Sequence, residues 1–373
     1  MKLAIISHAC VVPENQLFFQ RVQECAGWDI VIIIPAGWKT DFHDSYKVRK
    51  LPGFQGRLIP ISVFGEGRIT LHLYHWRLFR VLRAERPDVI YVHNESHALA
   101  SFQAILYNRF FSKAIIGFYA AQNIQRRHPW PFRAIEKFIL AKADFCFPVS
   151  ESARATILEK KFAGRVAVLP LGVDDGNFLD RAERAPGPAV IGYAGRLVPQ
   201  KGVAVLLRAL ARVAAPNWRC DIIGDGPEKD GLHDLAVALG IADKVRFLGY
   251  VGHGEIARYL QNFTMLVLPS LTTASWKEQF GRVIIEALAA GVPVIGSDSG
   301  EIPFLIRKLE GGLVVRENDA DELADAIDRL LADAALRASL AETGANNVRT
   351  YFMAPRIAAR FVDEIETILE TRR

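Results

Sequence analysis

Trp276-Lys277-Glu278-Gln279-Phe280-Gly281-Arg282-Val283-Ile284-Ile285-Glu286 sets two glutamates eight positions apart, around a Phe-Gly pair and ahead of an apolar run. Just upstream, Met265–Pro269 (MLVLP) reads as a short buried strand. Downstream, Ala287–Ala290 continues a helix, Gly291 stops it, and Val292–Gly296 (VPVIG) is the next strand. The unit is therefore strand, loop, helix, strand, with Glu278 at the loop-to-helix junction and Glu286 inside the helix. Eight helical positions correspond to roughly 12 Å along the axis. That separation is too long for two carboxylates sharing a proton. It fits two contacts on one elongated ligand.

The same rhythm extends in both directions. Lys2–Ser7, Asp29–Pro35, Asp88–His93, Ala114–Tyr119 and Asp144–Pro148 are apolar, β-branched or aromatic runs, each followed by a helical pattern. A second series runs through Ala189–Ala194, Arg219–Gly224, Val245–Gly249 and the two strands flanking the glutamates. Continuous apolar strands alternating with helices predict parallel sheets covered on both faces. Arg184-Ala185-Pro186-Gly187-Pro188 reads as a linker. The expected architecture is α/β, with Rossmann-like domains at 1–185 and 186–350 facing each other across a cleft. Residues 351–373 form a terminal helix that crosses back to the first domain. Ligands in such sheets sit at the carboxyl ends of the strands.

With 373 residues the chain is long enough for two cores, and with half of them hydrophobic and 23% charged it has a globular balance. No apolar run is long enough to span a bilayer, and Met1–His8 reads better as a first strand than as a signal peptide. Cys10, Cys25, Cys146 and Cys220 contain no C-x-x-C pair, which fits buried thiols in a reducing cytosol. The net charge of +5 is uneven. Residues 1–185 carry 25 Lys and Arg against 17 Asp and Glu, a balance of +8; the rest balances at −3. The basic half points to an anionic partner such as a membrane surface or a phosphate-bearing acceptor, with solvated charge as the plain alternative.

Gly195-Arg196 and Lys201-Gly202 follow the Ala189–Ala194 strand, where a glycine lets a ligand approach and two cations can neutralise a diphosphate beside a helix start. Two surface charges would be the bland reading. Gly224-Asp225-Gly226-Pro227 lacks the third glycine of a dinucleotide fingerprint, and His8-Ala9-Cys10-Val11-Val12-Pro13 after the first strand has none, which argues against a nicotinamide enzyme. Asp319-Ala320-Asp321 has a metal-binding spacing but sits where a helix needs capping. His93-Asn94-Glu95-Ser96-His97 places its acid wrongly for the zinc H-E-x-x-H order, and no metal site is expected. His8, His93, Glu95, Gln122 and Asn123 stand at strand ends of the first half and are candidate acceptor contacts or structural hydrogen-bonders. Arg126–Arg133 and Trp76–Arg83 mix cations with aromatics, which suits anionic lipid, core-facing packing or stacked nucleic acid.

Taken together, Glu278-x₇-Glu286 with Phe280-Gly281, Gly195-Arg196…Lys201-Gly202, Gly224-Asp225-Gly226-Pro227, Phe247-Leu248-Gly249 and Gly291-Val292-Pro293-Val294-Ile295 resemble the retaining glycosyltransferases of family 4, which have the GT-B fold. The match runs from about residue 143 to 351. The resemblance implies that Arg196 and Lys201 hold a donor diphosphate without metal or other cofactor. It gives Glu286 to the nucleotide ribose and Glu278 to the donor sugar. The backbone of Phe280, Gly281 and Arg282 would close on sugar and phosphates, and that of Tyr250 and Val251 would meet the base. Transfer would proceed on one face, the departing phosphate taking the acceptor proton. Three departures stand out. Val11–Asn15 lacks the family's glycine pair, Gln122 stands near where many members have a histidine, and Leu171 replaces a frequent Asn.

The resulting expectation is a retaining hexosyltransferase that moves sugar from a UDP- or GDP-sugar to a glycan or polyprenyl-linked acceptor, for cell-surface polysaccharide or glycolipid assembly. It would be cytoplasmic, either free or peripheral on the inner membrane face through its basic domain, and would not bind nucleic acid. The alternatives are a GT-B phosphorylase, a nucleotide-sugar epimerase, or a non-catalytic sugar-nucleotide binding protein.

Overall fold

The computed structural model describes residues 1–40, 43–174, 187–252 and 254–372, with backbone alone at 40 and 43–47. The chain divides into two units, Met1–Pro170 with Ala354–Arg373, and Leu171–Met353.

In the first unit, β1 (Lys2–Ile6) and β2 (Asp29–Pro35) are followed by an antiparallel ribbon, β3 (Gly37–Thr40) and β4 (His43–Lys47). Then come β5 (Arg57–Ile61) and a second small ribbon, β6 (Val63–Phe64) and β7 (Leu73–Tyr74). The series ends with β8 (Val89–Val92), β9 (Ile115–Ala120), β10 (Phe145–Pro148) and β11 (Arg165–Val166). Seven of these form one parallel sheet in the order β11-β10-β9-β8-β1-β2-β5. β1 is central, with Ile6 opposite Ile33 on one side and Val92 on the other. Its residues are buried from Leu3 to Ile6 because helices cover both faces of the sheet. One core layer brings Leu3, Ile5, Phe19, Ile30 and Tyr91 together with Ile357, Phe361 and Ile365 of the terminal helix Ala354–Arg372. Phe361 meets Phe18 edge-on at 5.7 Å and Phe147 at 5.4 Å.

The second unit repeats the plan with β12 (Ala189–Ala194), β13 (Trp218–Ile223), β14 (Val245–Gly249), β15 (Met265–Leu268), β16 (Val294–Ser297) and β17 (Gly312–Val315). These strands pair in parallel in the order β14-β13-β12-β15-β16-β17. In both sheets the order reverses beside the first strand, between β1 and β8 and between β12 and β15. A loop leaving one strand diverges there from the loop leaving its neighbour, and this opens a crevice for a ligand.

The expected boundary at 185/186 lies outside the described residues, while the two packed units divide after Pro170. Val173 donates its amide to Phe352 and bridges to Met353, so the chain has already joined the second unit by that point. The terminal segment joins the first unit at Ala354 rather than at 351, since Tyr351 closes the preceding helix Ala334–Tyr351. Finally, the helix after the Phe-Gly pair starts at Arg282, with Gly281 as its left-handed N-cap. Only Glu286 of the two glutamates is helical, so the helical-rise arithmetic does not measure their separation. Among the described residues no helix is long and apolar enough to cross a membrane.

Candidate functional site

The carboxyl ends of β12 and β15 flank the switch point of the second sheet, and the strongest candidates converge there. After β12 the chain passes Gly195 and Arg196 and makes a 3-10 turn, Pro199–Lys201. Gly202 ends that turn in the left-handed region at φ 67°, where a Cβ would lie 1.9 Å from the Pro269 carbonyl oxygen. Any side chain at 202 would push the turn off the end of β15. Leu271 donates its amide to the Gln200 carbonyl and ties the two loops from the other side. Backbone contact therefore places Lys201 beside the residues after β15.

Lys201 Nζ lies 2.6 Å from Glu278 Oε2, and Ser270 Oγ donates to the same oxygen at 2.8 Å. The ammonium also sits 5.0 Å from the centre of the Trp276 ring, within cation–π range. Glu278 is only 6% exposed, so its charge needs these partners. The loop is held from behind. Glu301 donates its amide to the Glu278 carbonyl, and Gly300, at φ 58°, approaches so closely that a Cβ would come within 2.1 Å of that oxygen. Ser297 Oγ donates to the Ser270 carbonyl at 2.5 Å, linking β16 to the same loop. Ser270, Trp276 and Gly300 were not among the sequence candidates. Ser270 had one available signal, its place just past the strand that precedes the glutamates. Ser270→Ala removes a hydrogen bond to a buried carboxylate, worth about 1.5–3 kcal/mol. The expected result is a lower melting temperature and weaker donor binding, both read by thermal unfolding with and without nucleotide.

Glu286 lies on the helix Arg282–Ala289, 5% exposed. Arg282 Nε, one turn earlier, stands 2.9 Å from Glu286 Oε1. Burial raises the Glu286 pKa above its ordinary value, and Arg282 opposes that shift. Phe280 and Gly281 are both buried, Phe280 at 5% exposed, just ahead of the helix that carries Glu286. Arg196 is exposed, while its carbonyl accepts from the buried Tyr193 hydroxyl at 2.9 Å. Burial, with Glu278 nearby, raises the Tyr193 pKa, so the group stays a neutral donor. Gly224, after β13, donates to the Gly249 carbonyl at the end of β14, directly before the half-exposed Tyr250 and Val251. The structure thus brings Lys201 and Glu278 into contact, pairs Arg282 with Glu286, and sets Arg196 after β12 and Tyr250 and Val251 after β14, with β13 between them.

The candidates of the first unit stand after β1, β8 and β9, the first two of which flank its own switch point. His93 Nδ1 shares a hydrogen bond with Ser7 Oγ at 3.1 Å, and its ring stands edge-on to Tyr119 at 4.7 Å. Burial lowers its pKa to about 4, and that of His8 to about 3 with added repulsion from His72 and His93. Both rings are neutral near pH 7 and serve as hydrogen-bonders rather than charged acids. One Glu95 oxygen accepts from the amides of Ala121 (2.8 Å) and Gln122 (3.0 Å), so this carboxylate holds the loop after β9. Gln122 Oε1 accepts from Lys160 Nζ at 3.3 Å, and Asn123 is buried beside it.

Among the described residues one group, His97, His128 and Glu136, collects three metal-ligand types. Lys160 already holds Glu136 at 2.7 Å. The two imidazoles stack at 4.0 Å with 21° between planes, and the ligand atoms of the three residues lie within 4.8 Å of one another. Asp319 of the D-x-D spacing caps the helix Ala320–Ala332, accepting the Glu322 amide at 2.9 Å.

With this geometry in view, the comparisons with known proteins are direct. The profile of the family "Glycosyl transferases group 1" matches residues 177–347, and that of the "Glycosyl transferase 4-like domain" matches residues 22–172. The chain belongs to the family-4 glycosyltransferases of GT-B fold. It is 32% identical over 299 residues to D-inositol 3-phosphate glycosyltransferase of Stackebrandtia nassauensis, an alignment spanning 73% of this chain and 62% of that protein. It is 29% identical over 311 residues to the lipopolysaccharide core biosynthesis glycosyltransferase LpsE of Rhizobium meliloti, covering 83% of this chain and 81% of the relative. The solved structure of Anabaena HepE in complex with UDP superposes with a TM-score of 0.75 at 17% identity, covering 98% of this chain and all of the other. That likeness is one of fold.

Proposed function

We propose that this chain transfers a hexose-type sugar from a nucleoside diphosphate donor to a hydroxyl of a glycan or lipid-linked acceptor, with retention at the anomeric carbon. The observation that carries this reading is the Lys201–Glu278 pair with Ser270 at the switch point of the second sheet. A buried carboxylate after β15 and a partly exposed ammonium after β12 match the sugar and phosphate parts of a sugar diphosphate. The ammonium has two further N–H donors for phosphate oxygens, and the carboxylate accepts from sugar hydroxyls. Arg196, exposed in the same loop as Lys201, supplies the second positive charge. Glu286, held ready by Arg282, takes the ribose hydroxyls at the other end of the donor. The backbone beside Tyr250 and Val251 meets the base.

In this reading the chemistry needs stabilised charge on the leaving diphosphate, and Lys201 and Arg196 provide it without a resident metal. The departing phosphate takes the acceptor proton on the face where the new bond forms. HepE, solved in complex with UDP, favours a uridine diphosphate donor, and the glycosyltransferase names of the relatives favour sugar transfer.

Thermal unfolding across a panel of UDP- and GDP-sugars tests the donor assignment. A donor at a hundred times its Kd should stabilise the protein by about 2.7 kcal/mol. The stabilising donor is then incubated with glycan and polyprenyl-linked acceptors, and the anomeric configuration of the product is read by NMR. An inverted product would refute retention. Epimerised donor formed without acceptor would point to an epimerase instead.

A further inference from the structure

The chemistry above leaves one flank of the first unit unexplained. The helices Arg77–Glu85 and Leu99–Phe111 lie side by side, joined where Phe79 meets Tyr107 at 5.5 Å and Phe111 at 6.2 Å. Outward from that seam the surface carries Arg77, Arg80, Arg83, Arg86, Arg109 and Lys113, all exposed. None of these six takes part in an ion pair among the described residues. Glu85, the one acid on either helix, is already engaged by Arg57 and Lys2. Interleaved with the cations are large apolar side chains that a water-facing helix has no reason to display. Trp76 is 59% exposed, Phe110 67% and Phe111 64%. Arg80 lies over the Trp76 ring at 5.4 Å and Arg109 over Phe110 at 5.8 Å. Their guanidinium planes therefore rest on aromatic faces instead of carboxylates.

A groove of about 700 Å³ opens between the ends of the two helices, lined by Arg83, Arg86, Tyr107, Phe111, Lys113 and Arg372. Asp88 on its rim is bound to the Lys2 amide at 2.7 Å, and Arg372 reaches Asp144 at 3.5 Å. That leaves Arg83, Arg86 and Lys113 facing the opening.

We propose that this flank docks on an anionic lipid bilayer, with Trp76, Phe110 and Phe111 entering the interface and a lipid headgroup phosphate seated in the groove. Cations alone would suit any polyanion. Exposed aromatics interleaved with unpaired cations suit a surface that is anionic outside and apolar just beneath. The groove opens at the amino ends of β8 and β9, where Asp88, Ala114 and Ile115 line it, at the other end of these strands from His93 and Gln122. The inference is independent of the donor chemistry.

The test is co-sedimentation of the full chain with vesicles of phosphatidylcholine alone and with vesicles containing an equal part of phosphatidylglycerol. The wild-type protein should pellet only with the anionic vesicles, and less so as salt rises. The triple variant Arg80→Glu, Arg83→Glu, Arg86→Glu should lose binding by about a hundredfold or more. Phe110→Ser with Phe111→Ser should lose at least about tenfold while its net charge is unchanged. All five positions are exposed, and melting temperature and its shift by UDP should stay as in the wild type, which shows that the variants are folded. Equal pelleting with neutral vesicles would overturn the proposal, as would unchanged binding in either variant. Displacement of the protein by millimolar inorganic phosphate would assign the groove to a soluble anion and overturn the headgroup assignment. Tight heparin binding with no dependence on Phe110 and Phe111 would make the flank a polyanion surface instead.

Discussion

Lys201→Ala is expected to lower kcat for sugar transfer by about 10²–10³-fold, the loss typical when one preorganised donor to developing charge is removed. Two effects of different origin add in this variant. In the transition state the leaving diphosphate loses a cation aimed at its growing charge. In the resting protein Glu278, 6% exposed, loses the ammonium 2.6 Å away. A buried pair deprived of one member is destabilised by about 3–5 kcal/mol, but the Lys201 side chain is one-fifth exposed and Ser270 still donates, so about 1–2 kcal/mol is expected here. The double variant Lys201→Ala, Glu278→Gln separates the two effects. It should regain the melting temperature while transfer stays lost, because no charge remains to be left uncompensated. Near-wild-type turnover in Lys201→Ala would remove Lys201 from the phosphate site.

Glu286→Gln should do the opposite to stability. Burial raises the Glu286 pKa above 4.5, so the native state holds this proton more tightly than the unfolded chain does. Stability therefore falls as pH rises from about the unfolded value up through the native one, and the cost is fully present above it. Glutamine never ionises and does not have this slope. Wild type minus variant should show a stability difference that is flat below about pH 4.5 and then grows in favour of the variant. Donor affinity should move the other way. A ribose hydroxyl on a carboxylate contributes about 1.5–3 kcal/mol, so KM for the nucleotide sugar should rise by about 10–100-fold. Parallel pH titrations of melting temperature and of KM decide the matter. A slope unchanged by the substitution would show that Arg282 fully compensates the buried charge.

The sequence made the glutamate spacing, the strand rhythm and the cations after β12 readable because each has a local pattern. A short continuous apolar run such as MLVL, closed by Pro269, suits a strand buried on both sides, and the structure places that run at β15. β5 and β17 escaped notice for a physical reason. Both are edge strands, where Pro60 is tolerated because one side needs no ladder hydrogen bond, and Gly312 lies so close to β16 that a Cβ would come within 2.0 Å of the Val294 carbonyl oxygen. The ribbons β3–β4 and β6–β7 are too short to show a period. Ser270, Trp276 and Gly300 went unread because they act through contacts with residues eight, seventy-five and twenty-two positions away or less obviously spaced, Glu278, Lys201 and Glu278 again. Such contacts exist only once the strands are ordered. The terminal helix was expected to return to the first unit, while the hand-over at Pro170 depends on the pairing of Val173 with Met353, which no local signal announces.

That returning helix has a consequence for how the chain is made. Ile357, Phe361 and Ile365 fill the core beneath β1 and β8, yet the ribosome adds them after every residue of the second unit. The second unit is thus whole while the first still waits for its last wall, with Phe18, Trp28 and Tyr91 lacking Phe361 as their aromatic partner. Biogenesis runs in an order the linear sequence reverses, the later-coded unit closing first. A chain stopped at Met353 would expose that apolar face permanently and should be recovered with chaperones or in aggregates, whereas the isolated second unit has no such dependence.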